Sequence, residues 1–133
     1  MRIVALVLTI ALLSGCANLS SSKFDVAEYA NFVQFITAAE QARDLCQHPE
    51  PSVMARAADS LERLLHFQLN YVTYRPNNEA TISIVDELHN NSVQLRDRYL
   101  DGTPSRVYCE TKIDVMVAQA KIGIEAANSK LRK

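Results

Sequence analysis

Three cysteines and three histidines hold most of the nucleophilic, redox and metal-binding potential of this 133-residue chain. His48, His66 and His89 fall on different segments, with no i, i+4 pair and no His-Glu-x-x-His spacing, so no metalloenzyme signature is present. Cys46 and Cys109 fit no Cys-x-x-Cys pattern for zinc or redox exchange. There is no Gly-x-Ser-x-Gly elbow, no phosphate-cradling glycine loop and no dinucleotide fingerprint. Asp86-Glu87 and Arg96-Asp97-Arg98 cluster charge on one segment, where a solvated helix face accounts for them. The expectation is a protein with no catalytic residues, no metal and no cofactor. Cys16 remains, and its setting is informative.

Arg2 gives a single positive charge, Ile3 to Leu13 an apolar run broken only by Thr9, and Ser14 and Gly15 a small-residue exit. That order describes a secretory signal. The run falls short of the roughly 20 apolar residues that a bilayer span takes. Leu13-Ser14-Gly15-Cys16 resembles the lipobox of bacterial lipoproteins. The resemblance implies cleavage before Cys16, a diacylglyceryl group on its thiol and acylation of the new amino terminus. Each buried CH₂ adds about 0.8 kcal/mol, so several acyl chains hold almost permanently where one holds weakly. Ala17 stands where an aspartate would mark retention at the inner membrane. By the same resemblance the destination is the outer membrane, with the domain facing the periplasm. The other reading is an ordinary cleaved signal with an incidental cysteine. The expected organisation is a signal at 1–15, a lipidated tether at 16–23 and a folded domain at 24–133.

These features must be positioned by a modest domain. Loss of residues 1–15 removes only Arg2 among the charged residues, leaving 13 Lys+Arg against 15 Asp+Glu. Such a balance offers no basic footprint for nucleic acid. The remaining chain reads as all-α, an up-down-up-down four-helix bundle closed by one disulfide. Asp25 with Glu28 resembles a capping box, opening a first helix to about Gln47. Pro51 suits the start of a second, which runs to about Tyr74 before Arg75-Pro76. Asn77 or Asn78 can cap a third that reaches about Leu100. Asp101-Gly102 gives the stop, with Gly102 able to adopt a left-handed conformation. Thr103-Pro104 reads as an N-cap followed by proline at the first helical position of a fourth, ending near Lys130.

Apolar residues recur at helical spacing on each segment: Phe32, Phe35, Ala39 and Cys46; Leu61, Leu65 and Val72; Val85, Leu88 and Leu95; Cys109, Ile113, Met116 and Ala120. Short connections favour antiparallel neighbours. An even pair of cysteines in an oxidising compartment reads as a disulfide between Cys46 and Cys109, two buried free thiols being the other reading. The bundle topology puts both at one end. Phe67, Tyr71 and Tyr74 lie off the Leu61–Leu65–Val72 stripe, and the first helix has a broad arc through Phe32 and Phe35. Either this extra aromatic surface is buried between neighbours, or it lines a groove for a partner helix. The candidate groove residues are Phe32, Phe35, Phe67, Tyr71 and Tyr74.

Lipobox, a first helix ending in Asp44-Leu45-Cys46 and the run Thr103-Pro104 to Cys109 together resemble the pilotins of type II secretion. These are small outer-membrane lipoproteins folded as four-helix bundles, with a disulfide joining the first and last helices. The resemblance implies binding of the C-terminal segment of a secretin, which turns helical in an apolar groove and is carried to the outer membrane. The alternative is a structural, exclusion or immunity lipoprotein of the envelope with no secretin partner.

Overall fold

The computed structural model describes residues 23–132. They form four helices: α1 (Val26–Leu45), α2 (Pro51–Thr73), α3 (Glu79–Asp101) and α4 (Arg106–Ser129), followed by a 3₁₀ turn, Lys130–Arg132. Among the described residues there is no strand. The connections are five, five and four residues long, which forces each helix to run antiparallel to the one before it. α2 packs most closely on α3 and α1 on α4. The α1–α2 seam is the sparsest of the four, and the diagonal pairs do not pack on each other. The expected four-helix bundle is therefore the fold.

The helix boundaries follow local chemistry. Asp25 caps α1, its Oδ1 accepting from the N–H of Ala27 at 2.7 Å and of Glu28 at 3.4 Å. Pro51 opens α2, where its missing N–H costs nothing. Asn78 precedes α3 without a side-chain cap bond. The left-handed residue of that turn is Asn77, at φ 56°. Two expectations are corrected. Gly102 has φ 172°, an extended backbone open to any residue, so no left-handed stop is used there. The last helix starts after Thr103-Pro104: Ser105 is the N-cap, its hydroxyl accepting from the N–H of Tyr108 at 3.1 Å. A serine hydroxyl one residue beyond the proline satisfies the orphan donor, so the Thr-Pro pair is left in the connection.

The core is continuous, with Phe32, Met54, Leu65, Leu88, Leu95 and Ile113 among its largest members, each at most 1% exposed. Burying such a side chain contributes roughly 1.5–3 kcal/mol. α4 approaches α1 closely because Gly123 faces Phe32. A methyl group at Gly123 would sit 2.4 Å from the Phe32 ring, so the ring fills the space that glycine leaves. At the opposite end, Cys46 and Cys109 are joined as a disulfide with Cα atoms 5.7 Å apart, covalently tying α1 to α4. Both are fully buried, so the bridge is part of the core.

Candidate partner groove and the ionic tie at the bundle end

Cys16 lies outside the described residues. The five aromatic residues expected to share a groove are dispersed by the fold. Phe32 and Phe35 are 0% and 1% exposed and belong to the core, which corrects their assignment to a binding surface. The broad arc of α1 is consumed because that helix meets two neighbours, with Phe32 seated against Gly123. Tyr71 is half-buried and donates its hydroxyl to Asp25, which gives it a structural partner. Phe67 and Tyr74 remain on the surface, at 67% and 90% exposed.

A cleft does exist, along the sparse α1–α2 seam. One section, of about 480 Å³, lies between Asn31 and Gln34 of α1 and Ser60, Arg63, Leu64 and Phe67 of α2. The next, of about 330 Å³, runs from Ser60 and Ala57 across to Ala38, Gln41 and Leu45. Ser60 lines both sections, so they adjoin along the seam. The α1 positions 31, 34, 38, 41 and 45 and the α2 positions 57, 60, 64 and 67 follow helical spacing, so each helix contributes one stripe. Small side chains, Ala38, Ala42, Ala57 and Ser60, keep the seam open. Phe67 forms a wall at one end and Leu45 stands at the other. The lining is apolar and amide-rich with a single cation, Arg63, and holds no carboxylate or imidazole. Such a cleft can receive an amphipathic helix, whose apolar face would meet the floor while polar side chains meet the amides. Of the residues expected to bind, only Phe67 lines it. Sequence reasoning on aromatic residues missed Ala38, Ala57 and Ser60. The available signal was small residues in register on two consecutive helices.

The strongest polar assembly is elsewhere, where α1 and α3 begin and α2 and α4 end. Glu28 is fully buried there. Its Oε1 accepts from Lys130 Nζ at 2.7 Å and Thr81 Oγ1 at 3.0 Å. Its Oε2 accepts from Arg75 at 2.6 Å and from Asn78 Nδ2 at 3.2 Å. Asn78 Oδ1 accepts in turn from Lys130 at 2.8 Å. One carboxylate therefore joins groups from the ends of all four helices. Its position in the first turn of α1 also suits the helix dipole, as does Lys130 at the end of α4. Four donors on one carboxylate leave no room for a substrate, so the chemistry here is closure of the fold.

A second layer borders this tie. Arg75 also donates to the Lys23 carbonyl at 2.7 Å and lies 3.4 Å from Asp25. The Tyr71 hydroxyl bond, with help from the backbone N–H groups of Ala27 and Glu28 and from Arg75, holds the Asp25 carboxyl below its ordinary range despite partial burial. The same bond raises the Tyr71 hydroxyl. The start of the described chain is thus fastened to the end of α2.

The histidines form no ligand set. His48 is exposed. The His66 and His89 rings approach to 6.0 Å across α2 and α3, with Glu62 3.7 Å from His89 Nε2 and paired with Arg96. Among the described residues no group of three His, Cys, Asp or Glu is arranged to hold a metal ion, and no helix is long and apolar enough to cross a membrane. Comparison of the chain with protein-family models, curated proteins and solved structures returned no match.

Proposed function

We propose that this chain is a non-enzymatic, lipid-anchored envelope protein that receives a helical segment of a protein partner in the α1–α2 cleft. The observation that carries the reading is the open seam itself. Two adjoining clefts, with small residues along their shared seam, run between two consecutive helices, and Phe67 is exposed at their edge. Burial of the exposed Phe67 ring by a guest would contribute roughly 1.5–3 kcal/mol. The leader ending in Leu13-Ser14-Gly15-Cys16 supports an outer-membrane address through lipid on Cys16. With the disulfide-closed bundle, it also supports a pilotin-like role, in which the guest is the C-terminal segment of a secretin.

The test is deletion of the gene, followed by complementation with wild-type protein, Phe67→Ala or Ser60→Arg. The expected result is loss of outer-membrane secretin on deletion, restored by wild type and by neither variant. Both variants are expected to keep the wild-type melting temperature, since each changes an exposed residue. Unchanged secretin assembly after deletion would remove the secretin as partner and leave the structural or exclusion reading. Equal rescue by both variants would remove the cleft.

A further inference from the structure

The end of the bundle that carries the Glu28 tie is also the end at which the N-terminal segment enters. Three of its helix termini present large apolar side chains to solvent: Val26 at 70%, Tyr74 at 90% and Leu131 at 62% exposed. They stand among the exposed cations Lys23 and Arg132. Stretches 23–28, 74–79 and 130–132 carry Lys23, Arg75, Lys130 and Arg132 against Asp25, Glu28 and Glu79. The disulfide end is balanced. With the last turns of the first and third helices included, stretches 43–52 and 98–106 carry Arg43, Arg98 and Arg106 against Asp44, Glu50 and Asp101. Exposed apolar groups are present there too, Leu100 and Val107, so the connection to the tether distinguishes the two ends.

We propose that the Val26–Tyr74–Leu131 end is a membrane-contact surface that rests on anionic lipid headgroups. It rests on the reading of Cys16 as the point of attachment. Six residues, or seven Cα steps, separate Cys16 from Lys23, a contour of at most about 25 Å. α2 alone has 23 residues and spans about 35 Å. The tether is therefore shorter than the bundle, and the disulfide end cannot turn over to meet the bilayer. A tyrosine at this level suits the interface, where its ring meets acyl carbon and its hydroxyl meets headgroups. Lys23 and Arg132 add attraction to an anionic surface, each worth about fivefold in partitioning. Contact at this end leaves the α1–α2 cleft at the side of the bundle, accessible from the aqueous phase.

The chain contains no tryptophan, so a single introduced one reports alone. The experiment takes the full chain, purified from envelopes, carrying either Tyr74→Trp or Val107→Trp. Each is reconstituted with vesicles containing phosphatidylglycerol or with phosphatidylcholine alone, with bromines placed near the headgroups as quenchers. Flotation with the vesicles checks attachment separately. The expected result is flotation of both variants, a blue shift and loss of emission for Tyr74→Trp, and neither for Val107→Trp. Adding Lys23→Glu and Arg132→Glu should reverse the Tyr74→Trp quenching in phosphatidylglycerol vesicles. Flotation without quenching at position 74, or with equal quenching at 107, overturns the contact surface and leaves attachment standing. Failure to float overturns both.

Discussion

Replacement of Glu28 by glutamine tests the claim that one buried carboxylate ties the four helices together. Glutamine preserves shape and one acceptor oxygen, but sets an NH₂ group against two donors. If the amide oxygen faces Lys130 and Thr81, its nitrogen faces Arg75 and Asn78, both of which donate to Glu28 in the native protein. Removing one member of a buried ion pair costs about 3–5 kcal/mol. The lower figure applies here, because both cations keep other partners: Arg75 has the Lys23 carbonyl and Asp25, and Lys130 has Asn78. Their side chains are also 18% and 12% exposed, so water reaches them. The expected loss is about 3 kcal/mol in urea unfolding at neutral pH, with a fall in melting temperature on the order of 10 °C for a domain of this size. A second change, Lys130→Met, should recover part of the loss, because it removes one of the stranded cations; the double-mutant cycle measures the coupling. A loss below about 1 kcal/mol, within the ordinary range for unremarkable substitutions, would refute the reasoning.

The disulfide closes a loop with a sequence separation of 63. Cys46→Ala with Cys109→Ala should therefore lower stability by about 4 kcal/mol on the chain-entropy account, read by urea unfolding, and the unreduced denatured wild type should show neither thiol to a labelling reagent. Tyr71→Phe removes the main cause of the lowered Asp25 carboxyl. A carboxylate lowered in the folded state stabilises above its ordinary range, and that contribution is lost as pH falls through the folded value. Tyr71→Phe should thus cost about 1.5 kcal/mol at neutral pH and much less in acid below both values, compared by urea unfolding at the two pH values. An equal cost at both would show that packing of the ring, not the charged hydrogen bond, carries the effect.

Where local chemistry decides an outcome, the sequence is a direct guide. Asp25 ahead of an amphipathic run, Pro51 after a Pro-containing loop and the recurrence of Leu61, Leu65 and Val72 each act within a turn or two of helix. Outcomes settled by distant segments are hidden. Glu28 looks like the second half of a capping box because it stands three residues after Asp25. Its actual partners, Arg75 and Lys130, lie 47 and 102 residues away. Phe32 looks like surplus surface from within α1, and only the absence of a side chain at Gly123 explains where the ring goes. The cleft is hidden for a related reason. Aromatic residues draw attention as binding groups, whereas this cleft is made by what is small, at Ala38, Ala57 and Ser60. Tyr71 illustrates the same limit, since its hydroxyl finds Asp25 across 46 residues of chain.

The uneven closeness of the four seams has a mechanical meaning. α1 is bolted to α4 by the disulfide, and α2 is packed tightly on α3, so the bundle is two stiff halves. The Glu28 tie pins those halves together at one end. At the other, α1 and α2 are linked by the short connection through His48 and Pro49 and share the core through Ala42, Met54, Ala58 and Leu61. The arrangement is that of a peg, with its fulcrum at Glu28 and its jaws between Leu45 and Ala57. This seam is the sparsest of the four, so parting it at that end should require less free energy than unfolding the domain. A guest wider than the resting cleft would be admitted from the Leu45 end and gripped progressively toward Phe67. Spin labels at Gln41 and Arg56 should then move apart on binding, while a pair at Ala30 and Asn70, beside the fulcrum, should not.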